Sequence, residues 1–263
     1  MKISLWMVTY RNPHDLNANL DSLFAADLPT SCDLQVNVIN NHSEYKLNPT
    51  HWHRVTTHHN HLRSDASLGH LSRNWNQALQ LGFGSLVTPQ ADVVICCQDD
   101  VLWEPNWYDE VTQAVQSHDL ITQGVGDAVI MYTPEAVRQV GMWDERFTPS
   151  FYHDGDYLLR ALIHLRHKAS INDPAHGRVW QPWHTPFAHV PAANTDRVWA
   201  KHQSYGRART PHQVWQHKWQ VSPINWSPEL MQNPPLRSEC KNFITYPHFE
   251  MDVYNLADKN YLI

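Results

Sequence analysis

Several things are missing from this chain of 263 residues, and each absence removes a class of protein. No run of apolar residues reaches the length that would span a bilayer, so no integral membrane segment is expected. The start, Met1 to Tyr10, is too short and too soon polar for a secretory signal, which points to a soluble, cytoplasmic protein. The 4 cysteines, Cys32, Cys96, Cys97 and Cys240, contain no CxxC spacing. They are expected as small core hydrophobes in a reducing compartment rather than as a disulfide framework. Basic residues are not in excess: 20 Lys and Arg stand against 26 Asp and Glu, a formal net charge of −6, which argues against general nucleic-acid binding. A hydrophobic fraction of 42%, with 12 Trp, is enough to fill a sizeable core. Histidine is abundant at 19 copies, but His51, His53, His58, His59 and His61 match no structural zinc spacing and no Cys joins them, so they are expected to line a polar loop.

The stretch around which the rest is organised is Asp92 to Asp100. Val93, Val94, Ile95, Cys96 and Cys97 form an apolar, β-branched run expected as a buried strand, and it leads directly into Gln98-Asp99-Asp100. In open α/β sheets the ligand crevice lies at the carboxyl ends of the strands. Carboxylates there suit a hard divalent cation, which usually arrives with substrate phosphates. An ordinary acidic turn after a strand is the plainer explanation of the same residues.

The periodicities give an alternating order. Strands are expected over 3–9, 34–39 and 92–97, with a short candidate at 55–57 and another strand over 128–132. Helices are expected over roughly 15–26, 66–81 and 107–118, and one opens at Thr133-Pro134 with Thr133 as N-cap and Pro134 in the first helical position. That alternation predicts a mainly parallel central sheet with helices on both faces. Beyond about residue 222, Pro223, Pro228, Pro234, Pro235 and Pro247 interrupt any periodic pattern. The division expected is therefore a domain over 1–221 and a Pro-rich extension over 222–263 that packs on the domain or on a partner. Asp154 and Asp156 precede an apolar helical pattern, where the helix dipole favours their anionic form and so a base or acceptor role. Simple N-capping by either carboxylate would use the same placement.

Taken in order, these pieces resemble the GT-A glycosyltransferases, and among them the large family 2 type. The resemblance is carried by Val8-Thr9-Tyr10, Asn40-Asn41-His42-Ser43, Gly69 with Asn74 and Asn76, Gln98-Asp99-Asp100-Val101, Gly141 to Phe147, and Phe151 to Asp156 with Arg160, over about residues 3–220. It implies a GT-A fold and transfer of a hexosyl or deoxyhexosyl group from a nucleotide-sugar donor (UDP-, GDP- or dTDP-linked) to a glycan hydroxyl acceptor. It implies donor-binding roles for Thr9, Tyr10, Arg11, Asn41, Arg73, Gln98 and Asp99. A Mn²⁺ or Mg²⁺ ion is implied at Asp100, with a late histidine, His189 in preference to His184. Asp154 takes the place of the general base of an inverting reaction, with Asp156 as the other candidate. The sequence departs from the family pattern twice: Gln98 stands where the metal motif usually begins with Asp, and His153 stands where the acidic pair usually begins with Glu. Gln98 keeps open the alternative of a non-catalytic glycan- or nucleotide-sugar-binding module with the same fold. A nucleotidyltransferase is disfavoured, because no glycine follows the first strand to cradle a triphosphate.

Overall fold

The computed structural model describes residues 1–62, 71–124, 127–145, 147, 152–165, 168–173, 178–179, 187–189, 215, 218 and 219. The Pro-rich segment over 222–263 and His184 lie outside the described residues.

The parallel half of the sheet comes first along the chain. Strands β1 (Lys2–Thr9), β2 (Asp33–Asn40), β3 (Val55–His59) and β4 (Val93–Gln98) pair in the order β3-β2-β1-β4, all parallel. Helix α1 (Pro13–Ala25) connects β1 to β2, and α2 (Leu71–Phe83) precedes β4. Helix α1 starts with Pro13 in its first turn, where the missing N–H costs nothing.

Beyond β4 the sheet turns mixed, which the alternation of elements did not foretell. A short strand, β5 (Val101–Trp103), follows β4 and leads into α3 (Trp107–Ala114). Strand β6 (Leu120–Gln123) and strand β7 (Val129–Tyr132) make an antiparallel pair, and β7 also lies antiparallel to β4. Then come α4 (Pro134–Val140), α5 (His153–Leu165), β8 (Ala169–Asp173) and β9 (Arg178–Val179). The sheet of described strands runs β3-β2-β1-β4-β7-β6-β8-β9, and β10 (Phe187–His189) pairs antiparallel with β5 in a separate ribbon. As the sequence predicts, Thr133 caps α4: its Oγ1 accepts from the Ala136 N–H at 3.3 Å.

Because strand side chains alternate, the sheet feeds a core on each face. Ile3, Leu5, Met7, Val93, Ile95 and Cys97 pack with Leu16, Leu20, Leu23, Trp107 and Val111 on the α1/α3 side. Trp6, Val8, Val94, Cys96, Ile130 and Tyr132 pack with Trp75, Leu79, Val137, Leu158 and Leu162 on the side of α2, α4 and α5. Gly82 lets α2 sit close to the sheet: a Cβ there would lie 2.7 Å from Val94 Cγ2 and 3.0 Å from Trp6 Nε1. Trp103, Trp107 and Trp143 are buried and belong to the core rather than to an exposed sugar-stacking face. Burial pushes the thiols of Cys96 and Cys97 up, so neither is a reactive thiolate. No helix among the described residues is long and apolar enough to cross a membrane.

Candidate active site

Register brings the candidate residues to one edge of the sheet. Thr9 pairs with Asn40 across β1 and β2, and Val8 pairs with Gln98 across β1 and β4. The carboxyl ends of the parallel strands therefore lie together, with Asn41 held next to them by its N–H to the Thr9 carbonyl at 3.1 Å. Because β7 runs antiparallel to β4, the residue before β7 arrives at the same edge, and the Gln98 N–H donates to the Ala128 carbonyl at 2.9 Å.

The acidic turn after β4 is tied to the turn after β1. Thr9 Oγ1 donates to Asp99 Oδ2 at 2.6 Å, and Asn12 Nδ2 donates to Asp99 Oδ1 at 3.3 Å and to Asp15 Oδ2 at 2.9 Å. Asn12 occupies the N-cap position of α1, yet its side chain makes no cap bond and serves these carboxylates instead. Burial pushes the Asp99 carboxyl up to about 7; the Thr9 and Asn12 hydrogen bonds oppose that shift and the neighbouring Asp100 charge adds to it. Asp100 is 8% exposed and directly precedes β5. In the β5–β10 ribbon, His189 is the register partner of Val101, which sets the His189 backbone beside the residue that follows Asp100.

Tyr10 packs edge-on against His42, with ring centroids 5.0 Å apart, and Arg11 Nε lies 3.3 Å from Glu44 Oε2. Arg11 has φ +57° and Tyr152 has φ +61°, a left-handed backbone that costs an L residue of order 1 kcal/mol. Both strained residues border candidate site positions. Arg73, on α2, pairs with Glu145 at 3.3 Å, and Asn76 Nδ2 donates to the same carboxylate at 2.8 Å.

Asp154 and Asp156 lie inside the first turn of α5 rather than before it. Their surroundings differ sharply. Asp154 is half-buried, whereas Asp156 is wholly buried and both its oxygens are engaged. Asp156 accepts from Arg160 Nε at 3.0 Å and from Trp219 Nε1 at 2.8 Å, and Lys218 Nζ approaches its Oδ1 to 2.8 Å. Lys218 also donates to Asp144 at 2.9 Å. A wholly buried carboxylate held by two cations and an indole is suited to holding structure. Of the two carboxylates in this turn, Asp156 is the one committed to ion pairs.

Sequence reasoning missed Asp127. Its carboxylate accepts from Gln98 Nε2 at 2.8 Å, from Trp75 Nε1 at 2.6 Å and from His153 Nε2 at 3.0 Å. Burial alone would raise the Asp127 carboxyl, but the charge of His153 and these hydrogen bonds hold it below the usual carboxylate value. Burial works against a charged His153 in the same way, and Asp127, followed by Asp154 and Asp156, outweighs it and raises the imidazole. Gln98 and His153, the two departures from the family pattern, thus share one carboxylate. The signal available in the sequence was Asp127 directly before a strand, and its meaning depended on knowing that the strand is antiparallel.

The histidine-rich segment is absorbed by polar pairing. His51 Nε2 meets Asp21 at 2.8 Å, His58 lies against Trp6, and His59 and His61 both face Asn40 Nδ2 at 3.1 Å. No group of three or more His, Cys, Asp or Glu side chains able to hold a metal ion occurs among the described residues.

No protein-family model matches the chain, and no curated protein does. Several solved structures are similar to it. S. aureus TarS matches with a TM-score of 0.45 and 13% identity, over 62% of this chain and 56% of that one. The mannosyltransferase PcManGT from Pyrobaculum calidifontis, in complex with GDP-Man and Mn²⁺, matches with 0.44 and 13%, over 65% of this chain and 54% of that one. The glucosyl-3-phosphoglycerate synthase from Mycobacterium tuberculosis, in complex with Mn²⁺, UDP and glucosyl-3-phosphoglycerate, matches with 0.47 and 13%, over 77% and 76%. The chain spans about half the length of the first two of these structures.

Proposed function

We propose that the protein is a glycosyltransferase that moves a sugar from a nucleotide-sugar donor to a hydroxyl acceptor, with Asp154 as general base and inversion at the anomeric carbon. One observation carries this reading. The turn that bears Asp99 and Asp100 and the helix start that bears Asp154, remote in sequence, are joined through Gln98, Asp127 and His153 by contacts of 2.8 and 3.0 Å. A metal-and-diphosphate side and a base side at one sheet edge are what the reaction needs.

The donor would lie across the ends of β1, β2 and β4, where Thr9, Tyr10, Arg11 and Asn41 offer hydroxyl, ring, cationic and amide groups to a base and ribose. Arg73, paired with Glu145, would act on the donor only by exchanging that partner. Asp100, with His189, would hold the divalent ion; a carboxylate oxygen suits Mn²⁺ or Mg²⁺, which commonly take few protein ligands and complete their shell with phosphate and water. When bound, such an ion offsets the charge that develops on the departing diphosphate. Asp99, with its proton equilibrium near neutrality and its oxygens committed to Thr9 and Asn12, suits a hydrogen-bonding role toward ribose rather than a ligand role. Asp154 accepts the proton of the acceptor hydroxyl as that oxygen forms its bond to the anomeric carbon and the bond to the diphosphate oxygen breaks. Asp154 lies in the first turn of α5.

A second reading, a binding module without catalysis, draws on the Gln98 amide being turned to Asp127, which leaves one carboxylate fewer for the ion. Both readings are tested by incubating the full chain with UDP-, GDP- and dTDP-sugars and glycan acceptors, with and without Mn²⁺. Turnover that Mn²⁺ stimulates and Asp154→Asn abolishes supports the transferase. Nucleotide or glycan binding without turnover, unchanged in Asp100→Ala and Asp154→Ala, supports the module.

A further inference from the structure

Asp127 belongs to no motif, yet it is the best-connected carboxylate at the sheet edge. It is 5% exposed, and its three donors come from three elements: Gln98 from the end of β4, Trp75 from α2 and His153 from the start of α5. Trp75 is wholly buried, so the carboxylate has a rigid anchor. Gln98 is further pinned at its backbone, whose carbonyl accepts from Asn19 Nδ2 at 3.1 Å and whose N–H donates to Ala128. Across the carboxylate, the His153 ring rests against Trp143 with centroids 5.7 Å apart.

The consequence falls on Asp154. On one side of it, His153 is fastened to Asp127; on the other, Asp156 is fastened to Arg160, Lys218 and Trp219. The chain enters this turn through the strained Tyr152. A residue held between two pinned neighbours has its backbone position decided by them, and a displacement of about 1 Å in a reacting group can cost on the order of a hundredfold in rate.

We propose that Asp127 is a positioning residue that fixes the Asp154 carboxylate relative to the Gln98-Asp99-Asp100 turn, by holding Gln98 and His153 on one carboxylate anchored to Trp75. The proposal rests on the glycosyl-transfer reading for what is being aligned. The link itself does not. A merely structural pair would affect stability alone, whereas a positioning pair affects turnover while leaving donor affinity in place, because base alignment matters only in the reaction.

The test uses the full chain, wild type and Asp127→Asn, at matched folded concentration. UDP and GDP affinities are measured by calorimetry with Mn²⁺, turnover with the corresponding sugar nucleotides, and the His153 ring by ¹H–¹⁵N correlation at neutral pH. In Asp127→Asn we expect the His153 ring signals to shift, because the carboxylate that accepts from its Nε2–H is gone. We also expect turnover to fall by about tenfold or more while nucleotide affinity stays within about threefold. A folded Asp127→Asn protein with wild-type turnover, or with an unchanged His153 ring, overturns the proposal. Should Asp127→Asn not fold, His153→Ala, which removes the donor to Asp127, undergoes the same turnover and affinity split, and wild-type turnover there overturns it. A wild-type protein inactive on every donor sinks the transfer reading alone, and the His153 ring signals then decide whether Asp127 governs the helix start.

Discussion

Replacing Asp156 by Asn tests whether that carboxylate serves the fold rather than the chemistry. The side chain is fully buried in a cluster of two anions, Asp144 and Asp156, and two cations, Arg160 and Lys218. Asn preserves the shape and removes one charge, so the cluster passes from balanced to one excess positive charge in a dry site. Removing one partner of a buried pair costs about 3–5 kcal/mol, chiefly because the orphaned cation stays desolvated. Asn retains an oxygen that can still accept from Trp219 or Arg160, which puts the expectation at the lower end, about 3 kcal/mol. For a chain of this size that corresponds to a fall in unfolding midpoint of roughly 10 °C.

Urea unfolding followed by tryptophan fluorescence measures the loss directly. Two further results must accompany it. Asp156→Asn should keep its turnover per folded molecule, and Lys218→Met introduced beside it should recover part of the stability, because the cluster is balanced again with Asp144 and Arg160. A loss below about 1 kcal/mol refutes the reasoning. So does a stable Asp156→Asn protein without turnover, since that would return Asp156 to the chemistry.

Asp154→Asn is the mirror image: its exposure limits the stability change to below about 1 kcal/mol, while the loss of a general base lowers turnover by roughly 10²–10⁴ in a sugar-transfer assay. The His153–Asp127 pair gives a pH dependence with two edges. His153 is raised in the folded state, so its contribution is present below the ordinary imidazole value and lost as pH rises through the folded one; Asp127 is depressed, so its contribution is present above the ordinary carboxylate value and lost as pH falls through the folded one. Stability relative to His153→Gln should therefore be greatest between those edges, and a difference that is flat from acid to alkaline pH contradicts the pair. Gly82→Ala should cost about 1–2 kcal/mol in thermal unfolding despite Ala's better helix propensity, because the new methyl meets Val94 and Trp6 at 2.7 and 3.0 Å.

Much of this was legible in the sequence because it depends on local pattern. The apolar run before Gln98 dictated a buried strand, and Thr133-Pro134 dictated a helix start. The antiparallel insertion of β7 between β4 and β6 was not legible, because a short buried strand carries no mark of its direction. That one topological fact hid Asp127, whose value lies in which sheet edge it reaches. The difference between Asp154 and Asp156 was hidden for a related reason. Two carboxylates in the same helical turn look alike until Lys218 and Trp219, more than sixty residues on, arrive at only one of them.

The two departures from the family pattern also change meaning once they are seen together. Taken singly, against the pattern that the sequence resembles, Gln98 lacks a carboxylate and His153 stands in place of an acid. In the fold both side chains donate to Asp127, so one carboxylate serves both positions. A carboxylate at position 98 facing Asp127 would bury two like charges in contact, which is unfavourable by several kcal/mol without a cation between them. Gln98→Asp should therefore weaken folding unless Asp127→Asn accompanies it. The double variant should recover more stability than the sum of its parts predicts, and simple additivity would dissolve the link between the two positions.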